Sequence, residues 1–209
     1  MPTIVKKTLP YLFFALFLSG LFLSPTFYAL SANAPRTISL IFILSILAIF
    51  RPQFNYKLKL NKEFKVEYLL CFLIGGAFYS LGRFWNLPLM QPEMDWRDFV
   101  YACLILPIFY EILFRLCLWS VIERMKLYKF LPLILTTFSF TLYYFYPLFW
   151  GPHPYKAFIY FQTMMYLIMG LWWGYAFLRE RNITHVFLMH IFFQIGYYTA
   201  DIWKFIGEL

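Results

Sequence analysis

A polytopic all-α bundle of about seven membrane-spanning helices is the fold class this sequence predicts, and three observations predict it. The 209 residues are 62% hydrophobic and only 13% charged, whereas a soluble domain carries about 45–50% apolar and about 25% charged residues. A chain of this length cannot hide that excess in one globular core, because surface scales too steeply in small domains. Apolar runs recur at 9–30, 36–50, 66–86, 98–122, 130–150, 157–178 and 183–200, most of them near the length of about 20 residues that a helix needs to cross a bilayer. Aromatic residues make up 24% of the chain, and Tyr and Trp near the ends of such runs suit the headgroup interface.

Taken in order, the run at 9–30 follows Lys6 and Lys7 and precedes Ala32-Asn33-Ala34. That resembles a cleavable signal, but the run is long for a signal core and Pro35 would follow the cut, so the segment reads as a first spanning helix. The run at 36–50 is short. Pro25, Pro107 and Pro132 fall inside or near runs, where membrane helices tolerate kinks if neighbours satisfy the freed backbone groups. No Gly/Ser linker, low-complexity tail or internal repeat divides the chain, so residues 1–209 read as one integral membrane domain.

Charge orients the bundle. With the N-terminus in the cytoplasm, the inner segments carry 12 Lys and Arg against 5 outside, with Arg115 left inside a span. That asymmetry predicts an N-in, C-out protein of the cell membrane. It also accounts for the net charge of +8 without nucleic-acid binding. The basic stretch 51–65 reads as a topology signal or a contact for anionic lipid. Cys71, Cys103 and Cys117 all lie in apolar runs and read as small core residues. No Cys-x-x-Cys or His-Glu-x-x-His motif is present, so no metal site is expected. Gly170 and Gly174 form a small-xxx-small pair suited to close helix packing within the chain, and Met164, Met165 and Met169 are expected to fill core space.

Ionisable groups inside spans are costly and are usually paired or functional. Glu111 and Arg115 are four apart and share a helix face, so they can pair as a salt bridge. His190 and Gln194 are also four apart and can hydrogen-bond across helices. At 1.5 Å per residue, Glu111, Arg115 and His190 lie roughly 18, 12 and 10 Å from the cytoplasmic ends of their spans, so the two pairs can meet.

At these residues the chain resembles the CPBP family, also called the Abi or CAAX-protease family, whose members are glutamic intramembrane endopeptidases and their relatives. The resemblance covers roughly residues 98–198. The family's motifs are Glu-Glu-x-x-x-Arg, Phe-x-x-x-His and His-x-x-x-Asn. Glu111 matches the second Glu of the first motif and Arg115 its Arg. His190 matches the His of the third, with Gln194 where Asn is usual. The first Glu, which in the family activates the attacking water, is Tyr110 here. The segment Phe140-Thr141-Leu142-Tyr143-Tyr144 places Tyr144 where the second motif has His. Neither His153, in a loop, nor His185, five residues before His190, replaces it. A tyrosine with a reference pKa of about 10 is a poor general base at neutral pH, although it can donate to an oxyanion.

The resemblance therefore implies a catalytically degenerate member, not an enzyme, serving as an accessory, scaffold or immunity-like subunit among other membrane proteins. The alternative is an active peptidase with a remodelled site, Glu111 as base and His190 with Gln194 as oxyanion donors. A third reading has His190 ligate a haem or chlorophyll-type pigment; otherwise no cofactor is expected.

Overall fold

The apolar run that begins near residue 98 folds as one long helix. In a computed structural model, which describes residues 11–12, 15–16, 65–87, 96–145, 148 and 155–200, it extends from Trp96 to Arg124. The other principal helices among the described residues are α1 (Val66–Phe84), then after the long helix, α2, come α3 (Leu131–Phe145), α4 (Lys156–Glu180) and α5 (Ile183–Thr199). No strand occurs among the described residues. Apart from residues 11, 12, 15 and 16, the expected spans at 9–30 and 36–50, with Pro25, the basic residues 51–64 and His153, lie outside the described residues.

Among the described residues α2 is the one helix both long and apolar enough to cross a membrane, and α3 is a shorter apolar helix. The helices at the remaining expected spans are either short, as α5 is, or diluted by Gly, Tyr, Trp and polar residues, as α4 is.

Helix α2 is not uniform. Its turns widen to the π form at Tyr101–Ile105 and again at Ile112–Leu118. Pro107 has no N–H to give the carbonyl of Cys103, and the first wide turn stands where that bond is missing. The second carries Arg115. Pro132, by contrast, sits in the first turn of α3, where proline removes no intrahelical hydrogen bond, so it makes no kink.

Two interfaces dominate the packing, α1 on α5 and α3 on α4. Glycine brings the first pair together. A Cβ on Gly75 would strike the backbone carbonyl of Phe193, and one on Gly196 the carbonyl of Phe72. Gly170 and Gly174 open α4 in the same way towards α3 and the Arg115 side chain. The core between these pairs holds Leu113, Phe114, Leu118, Trp119, Phe140 and Phe193, each nearly or wholly inaccessible to solvent. Cys71, Cys103 and Cys117 are buried free thiols. Met165 and Met169 are buried, but Met164 is 59% exposed. The α4 periodicity turns it outward with Tyr160, Ile168, Leu171 and Tyr175, a large apolar stripe on the outer face.

Sharp ends define the turns. Arg181 closes α4 in the left-handed conformation, with φ 52°, and its N–H bonds the Phe177 carbonyl. Asn182 then caps α5 by accepting from the Thr184 N–H at 3.2 Å. This two-residue turn sets α5 antiparallel to α4 and fixes where His185 and His190 point.

Candidate functional site

Glu111 and His190 meet in the middle of the bundle. The Nδ1 of His190 lies 2.9 Å from Oε1 of Glu111, and both side chains are enclosed, at 0% and 2% exposure. The His190 ring stacks on Trp173, with centroids 4.1 Å apart, and meets the edges of Phe140 and Tyr166. These walls hold one ring orientation. Sequence reasoning brought the two polar pairs to one place, and the structure does the same.

The pairing within the cluster differs from the expectation in its details. Arg115 approaches Glu111, Nε to Oε2, at 3.4 Å, longer than a hydrogen bond. Its terminal nitrogens go elsewhere. One donates to Thr136 Oγ1 at 2.7 Å and the other to the Gly170 carbonyl at 2.7 Å. Thr137 donates to that same carbonyl at 3.1 Å. Arg115 thus bolts α2 to α3 and α4 while its charge faces Glu111, and Gly170 and Gly174 leave the room for its guanidinium. Its charge faces Glu111 and both terminal nitrogens have acceptors, while Nε and the Glu111 Oε2 opposite it are buried without a hydrogen-bond partner. Gln194 donates to the Tyr166 hydroxyl at 2.8 Å and stands 3.4 Å from His190 Nε2. It reaches the histidine less closely than Glu111 does.

The two tyrosines at the substituted motif positions face each other. Tyr110 and Tyr144 have ring centroids 5.7 Å apart. Tyr144 stacks on Tyr166 at 3.9 Å, and Tyr110 also packs on Tyr143 and Phe140. Tyr143 and Tyr144 also meet edge to face, with centroids 5.9 Å apart. Four phenols therefore fill the space beside the Glu111–His190 pair. A cavity of about 180 Å³ opens nearby, lined by Gln162, Met165, Tyr166, Gln194 and Tyr197 among others; Glu111 and His190 do not line it.

Chemically, the arrangement supplies a carboxylate hydrogen-bonded straight to an imidazole, a guanidinium facing the second carboxylate oxygen, and phenols as weak donors. A general base acting on water needs an oxygen or nitrogen turned towards that water. Here Oε1 is taken by His190 and Oε2 faces Arg115.

Sequence reasoning missed Thr136, Tyr166, Trp173 and the Gly170 carbonyl as members of this cluster. Thr136, Tyr166 and Trp173 belong to no motif in the chain, and only the folded bundle brings them in. Gly170 was legible as a packing residue, though not as the acceptor for Arg115.

No curated protein and no solved structure matches the chain. The family model described as type II CAAX prenyl endopeptidase Rce1-like matches residues 92–196, a segment that begins just before α2 and ends within α5, and so contains Tyr110, Glu111, Arg115, Tyr144, His190 and Gln194. With half of its length under that match, and with the matched helices converging on one buried Glu–Arg–His cluster, the chain belongs to the Rce1-like family of type II CAAX prenyl endopeptidases.

Proposed function

We propose that this chain is a catalytically silent member of the family, a multi-pass protein of the cell membrane that serves as an accessory, scaffold or immunity-like subunit of a membrane complex. One observation carries the reading. At the two positions where the family resemblance implies a water-activating Glu and a supporting His, Tyr110 and Tyr144 pack ring against ring, 5.7 Å apart. The Glu111–His190 pair is itself closed off from solvent. The retained charges are held as architecture. Arg115 ties three helices together, and Glu111 joins α2 to α5.

The test uses the full chain in lipid nanodiscs with a prenylated CAAX peptide. No cleavage above the protein-free rate is expected. Cleavage by the wild type that Glu111→Gln and His190→Ala both abolish would overturn the proposal. The double substitution Tyr110→Glu with Tyr144→His supplies the converse. It returns a carboxylate and an imidazole to facing positions, and a gain of cleavage of about 10²-fold or more over wild type is expected, in the range a positioned acid–base group contributes.

The second reading, an active peptidase with a remodelled site, draws on the 2.9 Å Glu111–His190 hydrogen bond and on the cavity that reaches Gln194. The same cleavage assay decides between the two. The pigment reading gains no support, because the His190 ring is packed on Trp173, Phe140 and Tyr166 with both nitrogens turned to protein groups.

A further inference from the structure

A second cluster of ionisable groups lies apart from the Glu111–His190 site, where the start of α1 meets the α4–α5 turn. Glu67 stands in the first turn of α1, Glu180 at the end of α4, and His185 in the first turn of α5. One ligand atom from each lies within 4.8 Å of the other two. His185 is 1% exposed, and its Nε2 has no hydrogen-bond partner. That nitrogen points at both carboxylates, 3.5 Å from Glu67 Oε2 and 3.8 Å from Glu180 Oε1. Both separations are too long for a hydrogen bond. They are close to the spacing of two ligands on one small cation: bonds of about 2.1 Å at a tetrahedral angle put their atoms about 3.4 Å apart.

The surroundings prepare the ring for that role. Its Nδ1 is 2.9 Å from the Tyr68 hydroxyl. When Nδ1–H donates to that oxygen, the Nε2 lone pair faces the carboxylates, and the tautomer is fixed from outside as for a ligating histidine. Burial pushes the Glu180 carboxyl up, but the hydrogen bonds from Lys65 and Arg179 outweigh it and hold the group below its ordinary value.

Two side-chain cations now neutralise the pair. Lys65 Nζ is 2.6 and 2.8 Å from the Glu180 oxygens. Arg179 is 2.9 Å from Glu67 and 2.8 Å from Glu180. Arg179 is 51% exposed, and Lys65 precedes α1 at its N-cap, so both can turn to solvent. One divalent cation in their place leaves the charge of the cluster unchanged.

We propose that Glu67, Glu180 and His185 form a binding site for a borderline divalent cation, Zn²⁺ in the first instance, that clamps α1 to the α4–α5 turn. The donor set of two carboxylates and one imidazole suits zinc. Three protein ligands leave a position for water on the exposed side, where Glu67 and Glu180 are partly accessible. The sequence offers no zinc motif, because Glu67 is more than a hundred residues from its partners.

The experiment titrates Zn²⁺ into the full chain in nanodiscs, after chelator treatment and with an affinity tag free of histidine. Calorimetry reads stoichiometry and affinity, and Co²⁺ in place of Zn²⁺ reads coordination through its visible spectrum. One site per chain is expected, with a four-coordinate Co²⁺ spectrum. Glu67→Gln and His185→Gln are each expected to weaken binding at least ten-fold. Arg179→Gln removes a competing cation and is expected to tighten it several-fold. Glu67 lies on a partly exposed first turn, so its variant reports even if the histidine variant fails to fold. Absence of saturable binding, equal binding by wild type and Glu67→Gln, or weaker binding by Arg179→Gln each overturns the proposal.

Discussion

Arg115 shows how much one residue can fix. It is 1% exposed, yet it is paid for by three partners on three helices: the Glu111 carboxylate, the Thr136 hydroxyl and the Gly170 carbonyl. Arg115→Met keeps the approximate volume but leaves Glu111 with His190 alone and strips a donor from Gly170. Removing one partner of a buried pair costs about 3–5 kcal/mol. A fall in the thermal unfolding midpoint in detergent, larger than for any exposed Arg→Met change, is the expected result. Arg115→Met with Glu111→Gln should recover part of the loss, because no uncompensated carboxylate then remains buried. If the double variant is less stable than the wild type by the sum of the two separate effects, the pairing is not what Arg115 supplies. The residues of this cluster that carry motif spacing, Glu111, Arg115, His190 and Gln194, were legible in the sequence because helical periodicity places residues four apart on one face. Which atom binds which was not. The i,i+4 pattern favours Glu111–Arg115 and His190–Gln194, whereas the shortest contacts run between helices, Glu111 to His190 and Gln194 to Tyr166. Those are set by how α5 docks, and no local spacing encodes that.

At the scale of elements, the helix positions follow the apolar runs, since α1 to α5 stand where the runs at 66–86, 98–122, 130–150, 157–178 and 183–200 predict them. The widened turns of α2 and the tight α1–α5 contact were not foreseen. The first needs knowledge of which carbonyls neighbours can satisfy. The second depends on Gly75 and Gly196, 121 residues apart in the sequence, facing each other's helices. Their substitution separates backbone contact from ordinary packing. Gly75→Ala and Gly196→Ala place a methyl against main-chain atoms of the facing helix, which cannot turn aside. At Gly170 the added methyl would meet Phe140 and Thr137 side-chain atoms at 3.2 Å, which can shift. Overpacking costs about 1–3 kcal/mol, occasionally more. Gly75→Ala and Gly196→Ala are expected at or above the top of that range and Gly170→Ala near the bottom, read as unfolding midpoints in one detergent. A helix end offers a change of opposite sign. Lys126, exposed, follows α2 with φ 52°, a left-handed conformation that costs a residue with a Cβ about 1–2 kcal/mol. Lys126→Gly relieves that, offset in part by the greater freedom glycine has in the unfolded chain, so a small rise in the midpoint is expected.

For the whole molecule, the outer surface of the described bundle is apolar where a soluble protein would be charged. Leu69, Leu70 and Leu73 on α1, Ile134 and Phe138 on α3, and Ile168 and Leu171 on α4 are all among its exposed large side chains. Ion pairs gather instead at one end. Lys65–Glu180, Arg179–Glu67 and Arg181–Glu123 join the start of α1, the end of α2 and the α4–α5 turn. The proposed N-in arrangement puts this end in the cytoplasm, together with Lys126 and Lys129 in the α2–α3 connection. The Trp96 end of α2 and Lys156 then face outward. That assignment predicts the labelling of single cysteines in a background where Cys71, Cys103 and Cys117 are replaced by Ala or Ser. A membrane-impermeant maleimide applied to intact cells is expected to label a cysteine at position 156 and to leave one at position 126 unlabelled until the membrane is opened. The reverse pattern inverts the bundle, moves the ion-paired end and its Glu67–Glu180–His185 cluster to the outside, and excludes a cytoplasmic source for any cation bound there. Labelling of both positions in intact cells would instead mean that α3 does not cross the membrane, since the proposed arrangement separates them by that helix alone.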